Sequence, residues 1–149
     1  MNIFVGCSSR DVTDNVKWSR YCTATLEVTK FITAHKHTLV FGGCARGLMG
    51  LMYKCILLNK ANIIVAIPQA YINDAEELFY SNLFDFNTVS ERKDWIFKNT
   101  SMHIFLPGGI GTIDELFSSI EAKRCGEHNS PIIIINEQGY FNDVLHVLA

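Results

Sequence analysis

Three stretches of the chain combine small residues with groups suited to an anion: Gly6-Cys7-Ser8-Ser9, then Gly42-Gly43-Cys44-Ala45-Arg46-Gly47-Leu48-Met49-Gly50, then Pro107-Gly108-Gly109-Ile110-Gly111-Thr112. Glycine lets backbone N–H groups approach an anion closely, and a helix starting behind the loop adds unpaired donors and a positive dipole end. A phosphate suits such loops. Taken singly, each loop reads equally well as a tight strand-to-helix turn, but three along one edge favour the phosphate. The dinucleotide fingerprint GxGxxG is absent, and GGCARGLM lacks the Lys and Ser/Thr of a P-loop, so NAD and ATP chemistry are disfavoured.

Charged groups flank these loops. With Thr112 starting a helix, Glu115 falls at its third position, where the helix end keeps a carboxylate ionised. Thr112 and Glu115 also spell T-x-x-E, so a purely structural capping box is the competing reading. Arg92 and Lys93 stand together at the start of another helix, an unfavourable place for positive charge. An anionic ligand or Glu115 would compensate them; the alternative is two solvated cations pairing with Glu91 and Asp94. The five histidines show no ligand spacing such as HExxH, so no metal is expected.

The elements that must position these groups follow from hydrophobic period. Residues 2–7, 38–41, 63–67, 102–106 and 131–135 are short apolar runs stopped by Gly, Pro or polar residues, and read as buried strands. Helical periodicity fills residues 14–34, the stretch holding Leu48, Leu51, Met52, Cys55 and Ile56, residues 90–100 with Ser90 as N-cap, and the segment with Ile113, Leu116, Phe117 and Ile120. Residues 69–89 are less regular, with a short helix around Glu76 and a short strand around Phe84. A partial helix carrying Phe141, Val144, Leu145 and Leu148 follows Gly139. Strands apolar throughout and alternating with helices imply a parallel sheet covered on both faces, a single-domain, doubly wound, Rossmann-like α/β fold over residues 1–149. Ligands bind such sheets beyond the carboxyl ends of the strands, where the three loops fall.

Composition sets the remaining bounds. The chain has 149 residues, 48% hydrophobic and 19% charged, with a formal net charge of −2 and no basic run for a nucleic-acid backbone. Its five cysteines are odd in number and contain no CxxC pair, which fits reduced thiols in a cytoplasmic protein. No signal peptide and no apolar stretch near the roughly 20 residues of a membrane span is expected.

PGGIGTIDE at 107–115 resembles the PGGxGTxxE motif of the LOG family, the cytokinin riboside 5′-monophosphate phosphoribohydrolases often misnamed lysine decarboxylases. ERK at 91–93 is similar to that family's arginine-lysine pair, GGCARGLMG to its GGGxxGLMG loop, and GCSS to its N-terminal serine loop. The resemblance runs along essentially the whole chain. It implies a Rossmann-like homodimer without a cofactor, with its active site near the subunit interface, hydrolysing a nucleoside 5′-monophosphate to free base and ribose 5-phosphate. Arg92 and Glu115 would be the catalytic pair; Gly108, Gly109, Gly111 and Thr112 would hold the 5′-phosphate; Ser8, Gly43 and Lys93 would line the same pocket. Cys44 stands where the family has a third glycine, Val89-Ser90 where many members have Met-His, and Asp114 where a second glutamate is common. The chain also ends sooner after PIIIINEQGYF than the family pattern, so the expectation is either a missing closing helix or a naturally short protein. Relatives with the same sheet edge serve as nucleotide or molybdenum-cofactor carriers, which makes a non-catalytic carrier the alternative. An interaction protein would instead need an exposed apolar patch without a pocket. A pyridoxal-phosphate decarboxylase is disfavoured because no cofactor lysine is recognisable.

Overall fold

Parallel strands need a crossover between neighbours, and the chain supplies one each time. The computed structural model describes residues 1–149. Strands β1 (Asn2–Gly6), β2 (Thr38–Phe41), β3 (Ile63–Pro68), β4 (Asn82–Phe86), β5 (Met102–Phe105) and β6 (Ile132–Ile134) alternate with helices α1 (Asn15–Ala34), α2 (Gly47–Leu58), α3 (Val89–Asn99), α4 (Ile110–Arg124) and α5 (Asn142–Leu148). All pairings are parallel and the sheet order is β4-β3-β2-β1-β5-β6. The order reverses beside β1, so the loops after β1 and β5 meet at a switch point, where doubly wound sheets bind ligands.

Successive side chains of a strand point to opposite faces, and each face carries its own core. Ile3, Val5, Leu39, Phe41, Ile63, Val65 and Ile67 pack under α1 and α2 with Leu48, Met52 and Ile56. Phe4, Val40, Ile64, Ala66 and Phe105 face the other way, under Ile96 and Phe97 of α3 and Leu116 of α4, with Phe141. Arg92 and Glu115 belong to the two helices of this second face. Val144 of α5 also packs there, so α5 leaves open a groove of about 590 Å³ on the first face, lined by Ala24, Val28, Phe31, Met102, Ile104 and Ile133 among others.

Two helix starts differ from the sequence expectation. The N-cap of α3 is Thr88, whose Oγ1 accepts from the Glu91 N–H at 3.1 Å, rather than Ser90. The N-cap of α4 is Gly109, so the helix begins at Ile110 and Glu115 lies in its second turn. Glu115 therefore forms no capping box. A glycine N-cap leaves the amides behind it without a side-chain acceptor, a geometry that the T-x-x-E spelling concealed. The irregular region holds a 3₁₀ segment, Gln69–Ala75, where a short helix around Glu76 is expected, and β4 around Phe84 as expected. Trp95 of α3 lies over Phe84 with centroids 4.6 Å apart, which holds this edge strand to the second face.

Candidate active site

Arg92 reaches across the carboxyl ends of the strands from the first turns of α3. Its Nε donates to the Ala66 carbonyl of β3 at 2.6 Å, and its Nη2 lies 3.2 Å from where a Cβ on Gly42 would stand. A side chain at the position after β2 would therefore press on the guanidinium. Nη1 comes to 3.8 Å from Glu115 Oε2, and the two side chains are 7% and 9% exposed. That separation makes an ion pair but exceeds hydrogen-bond range, and Oε2 is buried with no hydrogen-bond partner. An unpaired buried carboxylate oxygen is costly, so packing alone does not account for it.

The electrostatics reverse the expectation that a helix end keeps Glu115 ionised. Burial pushes its carboxyl above the usual range, the Arg92 guanidinium opposes this, Asp114 reinforces it and Lys93 opposes it. The dipole effect fades within the first turn, and Glu115 lies beyond it. Burial also pushes up the Cys7 thiol at the end of β1, with Glu115 and Cys44 adding to the shift.

Lys93 is the second member of the pair. Its Nζ stands 3.1 and 3.0 Å from the two oxygens of Asp114 and donates to Ser118 Oγ at 3.0 Å. The adjacent cations are thus compensated from α4, by Glu115 and Asp114, and no ion pair joins them to Glu91 or Asp94. A groove of about 420 Å³ lies along the outer side of α3 and α4, lined by Ser90, Lys93, Phe97, Phe117 and Ser118 among others; neither Arg92 nor Glu115 lines it.

The glycines divide into two kinds. A Cβ on Gly109 or Gly111 would meet nothing within 4 Å, and both residues are exposed at the start of α4, where the first amides have no intrahelical acceptor. Gly108 and Gly43 are packing glycines. A Cβ on Gly108 would fall 2.1 Å from Thr112 Oγ1, and Gly43, at φ +80°, would drive one to 2.5 Å from Val65 Cγ1. Thr112 is buried beneath the loop. The Ser8 hydroxyl is engaged within its own loop: it accepts from the Arg10 N–H at 3.0 Å and donates to the Arg10 carbonyl. The Ser8 backbone ties the loops together, donating to Pro107 O at 3.0 Å and accepting from Met49 N at 3.0 Å.

Arg92 and Glu115 are therefore brought face to face, Gly109 and Gly111 leave an open amide edge, and Gly43, Thr112 and Ser8 shape the loops from beneath. Three further groups were invisible in the sequence. The Ala66 acceptor is a backbone atom with no side-chain signal. Ser118 was hidden because its partner lies on another helix; Asp114, already matched to a family glutamate, shares that partner. Tyr140, from the 3₁₀ turn before α5, donates to the Gly108 carbonyl and stands edge-on to Tyr21 of α1 at 5.8 Å. No group of three His, Cys, Asp or Glu side chains is arranged to hold a metal ion, and no helix is long and apolar enough to cross a membrane.

Comparison with known proteins meets this geometry from outside. A family model described as "Possible lysine decarboxylase" matches residues 49–149. The chain is 34% identical over 128 residues to an Oryza sativa subsp. japonica protein named "Probable cytokinin riboside 5′-monophosphate phosphoribohydrolase", covering 84% of this chain and 55% of that one. An Arabidopsis thaliana cytokinin riboside 5′-monophosphate phosphoribohydrolase is 30% identical, with 84% and 59% covered. The chain thus spans little more than half the length of these relatives. Among solved structures, a molybdenum cofactor binding protein from Rippkaea orientalis superposes with a TM-score of 0.76 at 14% identity, covering 99% of this chain and 83% of that one. A molybdenum cofactor carrier protein from Chlamydomonas reinhardtii gives 0.71 at 20%, with 99% and 83% covered. At such identities these two bear on the fold alone. With its PGGIGTIDE loop on α4 facing the arginine of α3 and its family match over most of its length, the chain belongs to the LOG family.

Proposed function

We propose that the chain hydrolyses the N-glycosidic bond of a nucleoside 5′-monophosphate, either a cytokinin riboside monophosphate or AMP, to give free base and ribose 5-phosphate. The observation that carries this is the buried, unpartnered Glu115 oxygen opposite Arg92, beside a helix start whose glycines leave backbone amides open. A receptor for phosphate alone gains nothing from a carboxylate placed there. The names of the curated relatives point to the same reaction.

In this mechanism the amides of Ile110, Gly111 and Thr112 receive the 5′-phosphate. Arg92, held by the Ala66 carbonyl, anchors the substrate and orients Glu115. As the bond from C1′ to the base nitrogen breaks, positive charge develops on the ribose ring, and the Glu115 carboxylate stabilises it while positioning the ribose hydroxyls or the attacking water. Water oxygen bonds to C1′, and the proton it loses balances the one taken up by the departing base. A homodimer in the cytoplasm is the proposed working form, carried over from the family; a light-scattering mass of one chain would remove the dimer. A carrier role has only the likeness of folds behind it.

Chromatography of released base after incubation with AMP, and separately with isopentenyladenosine monophosphate, tests the reaction. Base release from either, abolished in Glu115→Ala, is the expected result. Nucleotide binding without base release, unaffected by that substitution, would defeat the proposal.

A further inference from the structure

The Arg92–Glu115 pair has no hydrogen bond of its own to set its spacing. At 3.8 Å it is an electrostatic contact only, and the strong bond that Arg92 makes is to the Ala66 carbonyl of the sheet. Glu115 rides on a different helix, so its distance from Arg92 depends on how α3 sits against α4. The next residue on each helix supplies a rigid link. The Lys93 ammonium has three donors, and three acceptors surround it: Asp114 Oδ1 at 3.1 Å, Asp114 Oδ2 at 3.0 Å and Ser118 Oγ at 3.0 Å. Asp114 and Ser118 are one turn apart on α4, on a single stripe. Two of the three donors are therefore engaged on the neighbouring helix, by Asp114 Oδ1 and Ser118 Oγ, and Asp114 Oδ2 adds an ion-pair contact.

We propose that Lys93, clasped by Asp114 and Ser118, is a positioning residue that braces α3 against α4 and so fixes the Arg92–Glu115 separation. This rests on the hydrolase reading for its activity readout. The buried pair and the brace form two rungs between the same helices, from consecutive residues on each side. A brace needs an ammonium held by the neighbouring helix on the flank of the site, and Lys93 is so held, with its side chain 16% exposed.

The test compares Lys93→Met, Lys93→Arg and Asp114→Asn with the unmodified chain, using AMP. If Lys93 is a brace, Lys93→Met lowers kcat about 10- to 100-fold, as expected for a misplaced catalytic group, with little change in KM. Lys93→Arg, which can span the same acceptors, recovers most of kcat. Asp114→Asn decides between brace and simple charge. The groups facing Glu115 are Arg92 and Lys93 from α3, Asp114 from its own helix, and Cys7 from the loop after β1. Removing the negative Asp114 by itself eases ionisation of Glu115 and moves the acid limb of the pH profile down. Loss of the brace loosens Arg92 and moves it up. An upward move supports the brace; a limb that stays or moves down overturns it, as does a rise in KM with unchanged kcat in Lys93→Met. A carboxyl NMR titration of Glu115 in the same variants reads the same shift without turnover. A chain that releases no base would therefore sink the hydrolase reading while the brace remained measurable.

Discussion

Keeping Glu115 charged costs the folded protein free energy. Its carboxyl titrates above the ordinary range because burial outweighs the opposing Arg92 guanidinium. Between the ordinary carboxylate pKa and that higher value the folded state binds more protons than the unfolded one, so stability falls as pH rises through the window and stays lower at neutral pH. Glu115→Gln copies the neutral form. It is expected to raise the thermal midpoint at pH 7, with the gain gone below about pH 4 where the native carboxyl is itself protonated. Base release should fall about 100- to 1,000-fold, because an amide cannot offset a developing ribosyl cation. A variant less stable than the parent at pH 7 would show that Arg92, left without its partner, dominates instead. In the parent, the rate should rise with pH as Glu115 ionises. The two charged residues were legible from the motifs around them, but the state of Glu115 was not. The burial that governs it comes from strand ends and a neighbouring helix far away in sequence.

Helix starts decide which glycines stay open and which pack. Gly111 lies inside the first turn of α4 with nothing near the position of a Cβ, whereas a Cβ on Gly108 would fall 2.1 Å from Thr112 Oγ1 and 3.0 Å from the Cys7 backbone. Gly111→Ala should therefore stabilise the fold by about 0.5–1 kcal/mol, the usual helix gain, while putting a methyl group at the amide edge and raising KM for AMP about tenfold. Gly108→Ala should lose about 1–3 kcal/mol through overpacking. Thermal midpoints and KM for both variants check the division; equal loss of stability in the two would refute it. The sequence could identify the loop but not the division. Thr112 and Glu115 fit a capping box so well in spelling that the expected helix start fell at Thr112, and only the backbone at Gly109 corrects it. The strands were easier to read. Residues 38–41 were expected as a strand and are one, because an unbroken apolar run of that length suits only a position buried on both faces. The 3₁₀ segment Gln69–Ala75 has no such pattern.

Across the whole molecule, two-sided burial of the sheet predicted the parallel class, but sheet order is set by how crossovers pack and no residue spells it. That order puts β5 between β1 and β6 and forces one polar group into the second core. His103 of β5 is fully buried, its ring 6.2 Å from Phe4, 5.3 Å from Phe97 and 4.7 Å from His128. Its Nδ1 lies 2.7 Å from Ser119 Oγ, and its Nε2 has no partner. His128 is fixed as the Nε2–H tautomer, since its Nδ1 accepts from the Ser130 N–H at 3.2 Å and its Nε2 donates to Ser119 O at 2.8 Å. This network joins β5, α4 and the approach to β6, at the end of the strands remote from Glu115. Burial lowers the His103 pKa to about 4, with His128 and Lys123 adding to the shift. Unfolded histidine titrates near 6.5, so between that pH and about 4 the unfolded state binds more protons and stability is lost as pH falls. The full effect is about 3 kcal/mol. Urea midpoints at pH 7 and pH 4.5 should therefore drop further in the parent than in His103→Asn, which cannot take up the proton. The variant should be the less stable of the two at pH 7, having lost packing and the Ser119 contact. Parallel declines in the two proteins would mean that acid lability arises from carboxylates, with His103 a bystander in the core.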